Sequence, residues 1–463
     1  MAFLLFTFAN NIVLYRAGAP QQIGSDGLRK TMGMGTAMSV VVGCVIGSGV
    51  FFKPQAIYTA TGGAPGLGLV AWIVTGLVTL CSALTFSEIA ILIPKTGGIV
   101  PYLTESFGDK VGFLSGWIQV LIFYPAMVAG LAVAFGNQAA VLLGNQSMAV
   151  PVAIGCIVLL TVLNCGRSKA AGNIQIVFTI CKLVPLILLI VFGFAKAQND
   201  APLFKPMVGD GLNPVVVMGQ LMIAVLFAFD GWTGVGAIAG EMKNPAKDLP
   251  KAIVGGVSVI MIIYLVVNIA YLKILPASEL AKLDAPASAV ATVLFGSIGG
   301  KLIAVGIMIS VFGACNGFLL AGSRVSYAMA ETGSFPASSK LVKLNGADVP
   351  VNSVLLVAVI GALFAISGQF NMLTDLAIFS IWIFYTLTFA AVIKLRKDWP
   401  DAERSYKVPL YPVIPVIAIA SGVFVIVNQL FLSGMHSTLL SLGSLAVLVV
   451  GLPVYRVMQN KKK

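Results

Sequence analysis

Two apolar segments of this chain carry glycines and polar residues where a continuous helix is otherwise expected, so these residues are the best candidates for binding a ligand. The first segment is CVIGSGVFF (Cys44 to Phe52), with Gly47, Ser48 and Gly49 at its centre. The second is FDGWTG (Phe229 to Gly234). Glycine weakens a helix interior, and a helix break leaves backbone N–H and C=O groups unpaired. In apolar surroundings such groups need a polar partner, so each break predicts a polar site.

The composition predicts that both segments lie inside a membrane. Of the 463 residues, 58% are hydrophobic and only 10% are charged, whereas soluble domains contain about 25% charged residues. Apolar runs of about 20 residues recur along the chain, and this length crosses a bilayer. We therefore expect an all-α integral membrane protein embedded in the lipid bilayer, with no large soluble domain. Its twelve predicted helices, numbered spans 1 to 12, lie near 34–60, 66–93, 111–143, 148–166, 173–197, 215–240, 252–275, 301–328, 350–367, 372–393, 410–431 and 438–457.

Basic residues are distributed unevenly between alternate loops. Of the 29 lysines and arginines, 22 fall on one side, whereas the other side receives six, namely Lys53, Lys196, Lys205, Lys273, Lys282 and Lys301. Positive charge concentrates on the cytoplasmic side, so both termini of this multi-pass protein of the cell inner (plasma) membrane are predicted to be cytoplasmic. The same distribution explains the basic excess without a nucleic-acid partner.

The two breaks lie in spans 1 and 6, five spans apart. Interruptions at corresponding places in two halves point to a transporter with a binding site near the bilayer midplane. The pattern predicts two inverted five-helix repeats, at about 34–197 and 215–393, followed by extra helices at about 410–457. Residues 28–463 are thus expected to form one transmembrane transporter domain, and residues 1–27 an N-terminal extension of unknown role.

A small zwitterion complements the groups that two such breaks expose. A carboxylate suits the N–H groups at the start of a half-helix, and an ammonium suits the carbonyls where the preceding half-helix ends. A free α-amino acid carries both charges on one carbon. The alternative is a glycine kink that only allows close helix packing, but a second break at the matching position favours a site. The predicted substrate-binding residues are Val45, Ile46, Gly47, Ser48, Gly49, Phe227, Ala228 and Asp230.

Residues suited to metal, nucleotide or catalytic chemistry are sparse. His436 is the one histidine, and neither an HExxH nor a GxxxxGK[ST] motif occurs. The six cysteines lie in apolar segments without a CxxC pair, at Cys44, Cys81, Cys156, Cys165, Cys181 and Cys315. We expect no metal, no cofactor, no ATP hydrolysis and no enzymatic activity.

Three segments resemble the amino acid–polyamine–organocation transporters. They are VVGCVIGSGVFFKPQ in span 1, SEIAILIPKTGGIVPYL at the end of span 2, and EMKNPAKDLPKAI after span 6. LFAFDGWTGVGAIAGEMKNP is most similar to the L-amino acid transporter branch, and nearly the whole chain resembles a bacterial alanine–serine–cysteine exchanger. The resemblance implies a LeuT-like fold and sodium-independent exchange of small neutral L-amino acids. Animal members join a glycoprotein through a cysteine between spans 3 and 4, but GNQSMAV here has none, so no covalent glycoprotein subunit is expected.

Four residues are predicted to act in gating or coupling, and the resemblance implies the roles of three of them. Lys182 lies about 14 Å into its span, too deep for easy snorkelling. The resemblance suggests that it braces span 1 where related carriers use sodium, and that Phe227 is a gate. It further suggests that Tyr264 lies near Lys182 at the inner gate. Asn316 is either a neighbour of Lys182 or a hydrogen-bonding link between helices.

Alternatives remain open at this stage. A buried lysine loses its proton more easily, so Lys182 leaves a proton-coupled amino acid symporter as the rival function. The Asp230 side chain either attracts the substrate ammonium or caps the half-helix that starts at Gly231. Glu88 is interpreted as structural, and KLRKDWPDAERSYK as a solvated cytoplasmic loop. A channel is disfavoured because the spans contain no repeated ring of acidic residues.

Overall fold

A computed structural model describes residues 34–93, 95, 98–166, 171–233, 242, 244–346 and 349–460. In this part of the chain, helices occupy all twelve predicted spans, which confirms the all-α membrane architecture. The N-terminal extension, Gly234 and Glu241 lie outside the described residues. The side of the protein that carries the termini is called inner, and the opposite side is called outer. The charge distribution predicts that the inner side is cytoplasmic.

Most of the helices match the predicted spans to within a few residues, because uninterrupted apolar length dictates them. Span 8 instead begins at Pro286, well before the predicted start near residue 301, and the described helix of span 6 ends at Phe229. Eight of the described helices have the length and hydropathy to cross a bilayer, and spans 5, 6 and 9 contain three shorter apolar helices. A short helix, Ile99–Phe107, connects spans 2 and 3. Span 1 comprises Met34–Val45 and Gly49–Ala60, and the others are Gly66–Leu92, Asp109–Leu143, Ala149–Cys165, Ala171–Ala195, Pro214–Phe229, Pro245–Ile274, Pro286–Glu331, Val351–Ala365, Phe370–Asp398, Val413–Phe431 and Met435–Asn460. Within Pro286–Glu331 the backbone leaves the helical conformation at Gly296, where φ is +74° and ψ is −178°, so this segment consists of two helices joined at a kink.

The spans pack in two groups. Spans 1 and 2 each pack against spans 6 and 7, and spans 3, 4, 8 and 9 form the second group. Each group therefore contains two helices from the first predicted repeat and the two equivalent helices from the second. Span 10 packs against spans 2 and 6 of the first group and against span 3 of the second. Both broken helices lie in the first group, so the packing brings their interruptions together.

The end of span 2 opposite the outer side is fixed by a buried carboxylate. Glu88 is 2% exposed, and its two oxygens accept hydrogen bonds from Arg396 Nε (2.8 Å) and Nη2 (2.7 Å) at the end of span 10. The Val408 backbone N–H donates to the same carboxylate at 2.7 Å, and Arg404 Nε lies 3.6 Å away. The loop after span 10, interpreted from sequence as solvated, thus folds in part onto span 2.

Replacing Glu88 by Gln is expected to lower the melting temperature of the detergent-solubilised protein markedly. The substitution keeps the shape but leaves the Arg396 and Arg404 guanidinium groups without their shared counter-charge. Breaking a buried ion pair from one side costs about 3–5 kcal/mol. The matched control is Glu105→Gln, which removes the exposed pair with Lys95, and exposed pairs contribute only about 0–1 kcal/mol. Equal melting temperatures for the two variants would contradict this assignment.

Candidate functional site at the two helix breaks

The first break is a three-residue interruption of span 1. The first half-helix ends at Val45 and the second begins at Gly49, which leaves Ile46, Gly47 and Ser48 between them. The Ser48 carbonyl starts the second half-helix by accepting from the N–H groups of Phe51 (3.0 Å) and Phe52 (3.2 Å).

Ser48 also carries an unsatisfied side chain at this break. It is 1% exposed, and its hydroxyl has no hydrogen-bond partner among the described residues. A buried hydroxyl without a partner is costly, so this oxygen indicates a position for a polar ligand.

The second break ends the helical part of span 6 at Phe229. Asp230 is extended, with φ −65° and ψ 155°, and its N–H donates to the Phe227 carbonyl at 3.2 Å. Gly231 has a φ of +107°, a conformation that favours glycine because it has no Cβ. The predicted interruption after Phe229 is thus observed as far as Thr233, beyond which the description stops.

The two breaks are in direct contact. A Cβ atom added to Gly49 would lie 2.5 Å from Ala228 Cα and 2.6 Å from Ala228 Cβ, so only glycine fits there. At Gly47 the nearest atoms to an added Cβ are 3.8 and 4.0 Å away. The chain is therefore closely packed on the outer side of the break and has more room at the break itself.

Tyr264 of span 7 joins the two broken helices. Its buried hydroxyl lies 3.1 Å from the Val45 carbonyl and 3.1 Å from the Ala228 carbonyl. These are two of the carbonyls predicted to face the substrate ammonium. The tyrosine therefore holds the ends of both half-helices in one place, beside the proposed site.

Lys182 binds the end of the first half-helix. Its side chain is 1% exposed, and Nζ donates to the Gly43 carbonyl at 3.1 Å. Gly43 is two residues before Val45, so Lys182 and Tyr264 contact the same turn of span 1. The ammonium of Lys182 is a fixed positive charge on a carbonyl just before the break.

Asn316 and Asp230 each form a hydrogen bond with a side chain that the sequence did not predict as a partner. Asn316 Oδ1 accepts from Asn164 Nδ2 at 2.6 Å, a bond that ties span 8 to span 4 as the interhelical alternative describes. The Tyr385 hydroxyl of span 10 donates to Asp230 Oδ1 at 3.5 Å and lies 3.3 Å from Thr233 Oγ1. The half-helix that Asp230 was predicted to cap lies outside the described residues.

Phe227 lies on the outer side of the second break, beside a lysine that the sequence analysis misplaced. The Phe227 ring is 5% exposed and meets the Phe370 ring edge-on at 5.5 Å between centroids.

Lys53 was assigned to an outer loop, which is wrong, because its half-helix continues to Ala60 and buries it completely. The sequence did contain evidence for a buried Lys53, since Lys53 falls within predicted span 1 and a possible partner, Asp375, is the one acidic residue of predicted span 10. Intramembrane ionisable residues usually pair.

No group of three or more His, Cys, Asp and Glu side chains suited to a metal ion occurs among the described residues. The arrangement consists instead of backbone carbonyls, a half-helix N-terminus, hydroxyls and an ammonium. These groups can donate and accept hydrogen bonds to a small polar molecule, and two broken helices in contact are typical of secondary transporters.

The chain belongs to the amino acid permease family of the amino acid–polyamine–organocation superfamily, because the model of that family matches residues 32–452. The match confirms the resemblance and, with the broken helices, the LeuT-like membrane fold. The chain is therefore a transporter of amino acids and not an enzyme.

Several relatives are similar over nearly the whole chain. The serine/threonine exchanger SteT of Bacillus subtilis is 40% identical over 440 residues, covering 94% of this chain and 98% of the relative. The large neutral amino acids transporter small subunit 2 of Homo sapiens is 30% identical over 451 residues, with 94% and 82% covered. The Asc-type amino acid transporter 1 of Mus musculus is 29% identical over 439 residues, with 92% and 81% covered.

Proposed function

We propose that this protein exchanges small neutral L-amino acids of the alanine, serine and cysteine type across the plasma membrane, without sodium, by alternating access. The main support for this proposal is the contact between the two helix breaks beside the unpartnered Ser48 hydroxyl. Both termini are cytoplasmic in this proposal, and the chain works without a covalent glycoprotein subunit.

The substrate carboxylate binds at the start of the second half-helix of span 1. There the backbone N–H groups around Ser48 and Gly49 and the positive end of the helix dipole favour an anion. The Ser48 hydroxyl donates a further hydrogen bond. These groups are fixed by the fold, so little reorganisation accompanies binding.

The substrate ammonium binds the carbonyls that end the first half-helix and span 6. The Val45 and Ala228 carbonyls share the single O–H proton of Tyr264, and each carbonyl oxygen has two lone pairs, so both can accept from the substrate as well. Carbonyls of Ile46, Phe227 and Asp230 belong to the same two turns. The ammonium thereby links both broken helices, as Tyr264 does.

Lys182 supports a sodium-independent carrier of neutral substrates. Its ammonium already supplies the positive charge at the Gly43 carbonyl, so no metal cation is needed to brace this turn. A second cation on the substrate side chain would be repelled by it. The names of the serine/threonine and Asc-type relatives support small neutral substrates.

Uptake into proteoliposomes tests the function. Labelled serine or alanine is presented to vesicles that contain the purified chain alone, with or without unlabelled amino acid inside, and with sodium or choline outside. We expect uptake that requires internal amino acid and is unchanged by sodium. Uptake into empty vesicles driven by an imposed proton gradient would instead establish the proton-coupled symporter.

Replacing Phe227 by Ala is expected to change which side chains are accepted. Removing the ring opens space on the outer side of the site, so the ratio of leucine to alanine uptake should rise, by about tenfold if one or two methylene groups are newly accommodated. The control is Phe431→Ala, because the Phe431 ring is 74% exposed on the protein exterior. A substrate profile identical to that of the parent would show that Phe227 is only packing material.

A further inference from the structure

A cluster of four polar side chains lies beside the second break, next to the carbonyls proposed to bind the substrate ammonium. It consists of Tyr124 of span 3, Asp230 and Thr233 at the break, and Tyr385 of span 10. The Tyr385 hydroxyl donates to Asp230 Oδ1 at 3.5 Å and lies 3.3 Å from Thr233 Oγ1. The Tyr124 hydroxyl is near enough to the Asp230 carboxyl group to interact with it electrostatically. Three elements therefore direct polar groups to one carboxyl group.

The Asp230 carboxyl group has few hydrogen bonds for a buried group of its kind. Asp230 is 5% exposed, and none of the ion pairs in the part of the chain that the structure describes includes it. It accepts from the Tyr385 hydroxyl, at the long distance of 3.5 Å, and from the Gly231 backbone N–H. A carboxylate can accept at about four positions. Buried polar groups normally have partners, so this free capacity indicates a place for a donor on a ligand.

Asp230 also belongs to the same turn as the carbonyls proposed for the substrate ammonium. Its N–H donates to the Phe227 carbonyl at 3.2 Å, and Ala228 lies two residues before it. In an α-amino acid the ammonium and the side chain are attached to one carbon. A short side chain therefore lies close to the Asp230 carboxyl group when the ammonium is bound at these carbonyls.

The surroundings of the breaks favour a short side chain over a long one. A Cβ added to Gly47 would lie 4.0 Å from Ala314 Cβ, so span 8 closes the far side of the first break at short range. The Trp232 ring is 1% exposed and packs edge-on against the Phe86 ring at 5.3 Å between centroids. Long cationic side chains therefore have little space beside Asp230, although a carboxyl group attracts them.

We propose that Asp230 determines specificity by accepting a hydrogen bond from the side-chain hydroxyl of serine or threonine, and that Tyr385 positions its carboxyl group. This inference rests on the proposed function and ranks its substrates. Serine and threonine come first, cysteine follows because a thiol is a weak donor, and alanine, which has no donor, comes last. A site that leaves a buried polar group unpaired with the wrong substrate discriminates strongly against it.

Competition for exchange measures this specificity. Proteoliposomes loaded with serine take up labelled serine while unlabelled L-serine or L-2-aminobutyrate is added outside. L-2-Aminobutyrate carries a methyl group where serine carries its hydroxyl, so the two differ in hydrogen bonding and hardly in size. We expect serine to inhibit at a concentration about tenfold lower than L-2-aminobutyrate. In Asp230→Leu this ratio should fall to about one, whatever loss of total exchange the substitution causes.

Two tyrosine variants test the positioning role. Tyr385→Phe should lower the ratio of the two inhibitory concentrations, because the carboxyl group loses the hydroxyl that orients it. The matched control is Tyr327→Phe, which removes an exposed hydroxyl that donates to Glu331 at 3.3 Å. Its ratio should equal that of the parent, and an equal drop in both tyrosine variants would show that Tyr385 does not act through Asp230.

Binding to the purified protein gives the same comparison without transport. We expect serine to raise the melting temperature at about tenfold lower concentration than L-2-aminobutyrate does, and Asp230→Leu to remove this difference. Equal ratios in the parent and Asp230→Leu would overturn the proposal, as would L-lysine that displaces serine as well as serine itself does. If Asp230→Leu does not fold, unchanged ratios in both Asp230→Asn and Tyr385→Phe would overturn it. A parent that binds serine selectively but exchanges nothing refutes the proposed function and supports the hydroxyl site.

Discussion

Replacing Gly49 by Ala is expected to lower amino acid exchange by about 10- to 100-fold, since forcing an extra carbon into a packed contact costs about 1–3 kcal/mol. The new Cβ would lie 2.5 Å from Ala228 Cα. That atom is backbone, so it cannot move aside as a flexible side chain would. The two breaks must separate, which displaces the Val45 and Ala228 carbonyls from their shared position at Tyr264.

A glycine elsewhere in the membrane provides the control for this prediction. Gly155 of span 4 lies on an exposed helix face, and a Cβ there would have nothing within 4 Å. Gly155→Ala should exchange normally and be at least as stable, because alanine is the better helix former. The measurement is the initial rate of serine–serine exchange at equal protein content. A Gly49→Ala protein as active as Gly155→Ala would mean that contact between the breaks is not required.

Replacing Lys182 by Ala is expected to reduce exchange about 100-fold while the protein remains folded, because misplacing binding groups by about 1 Å can cost that much. The substitution removes the ammonium from the Gly43 carbonyl, and the end of the first half-helix loses a fixed partner. Since Val45 follows two residues later, the carbonyls proposed to hold the substrate ammonium shift with it.

Measuring both exchange and folding distinguishes a bracing role of Lys182 from a contribution to general stability. Melting temperature and elution volume report folding, and Lys301→Ala, which removes an exposed lysine, is the control for charge. Near-normal exchange by Lys182→Ala would end the proposed role. If exchange by Lys182→Ala returned on adding sodium, a free cation would be replacing the ammonium, which would support the bracing role directly.

Span 10 is connected to the broken-helix group at three levels. Asp375 binds Lys53 near its outer end, Tyr385 binds Asp230 at its middle, and Arg396 binds Glu88 near its opposite, inner end. The two terminal contacts are ion pairs with buried partners, so they resist being broken singly. Span 10 is therefore tied to the first group at both of its ends.

Inspection of the amino-acid sequence was enough to predict the class of protein, the twelve spans and the positions of both breaks. These are local properties, because apolar length decides which segments cross the bilayer and glycine clusters decide where a helix stops. Family likeness added Lys182, Tyr264 and Phe227, which the fold brings to the two breaks. It could not orient them, since which neighbour a side chain meets depends on the rotation and packing of its helix.

The pairings between polar groups became visible only when the helices were packed together in three dimensions. Lys53 meets Asp375 across 322 positions of sequence, and Asn316 meets Asn164 across 152. Tyr264 contacts carbonyls of two different broken helices. No spacing rule predicts such pairs, because each partner comes from a helix whose neighbours are set by the packing of two repeats. The charge count placed Lys53 in an outer loop for the same reason: its partner, and hence its tolerance of burial, exists only once span 10 lies beside span 1.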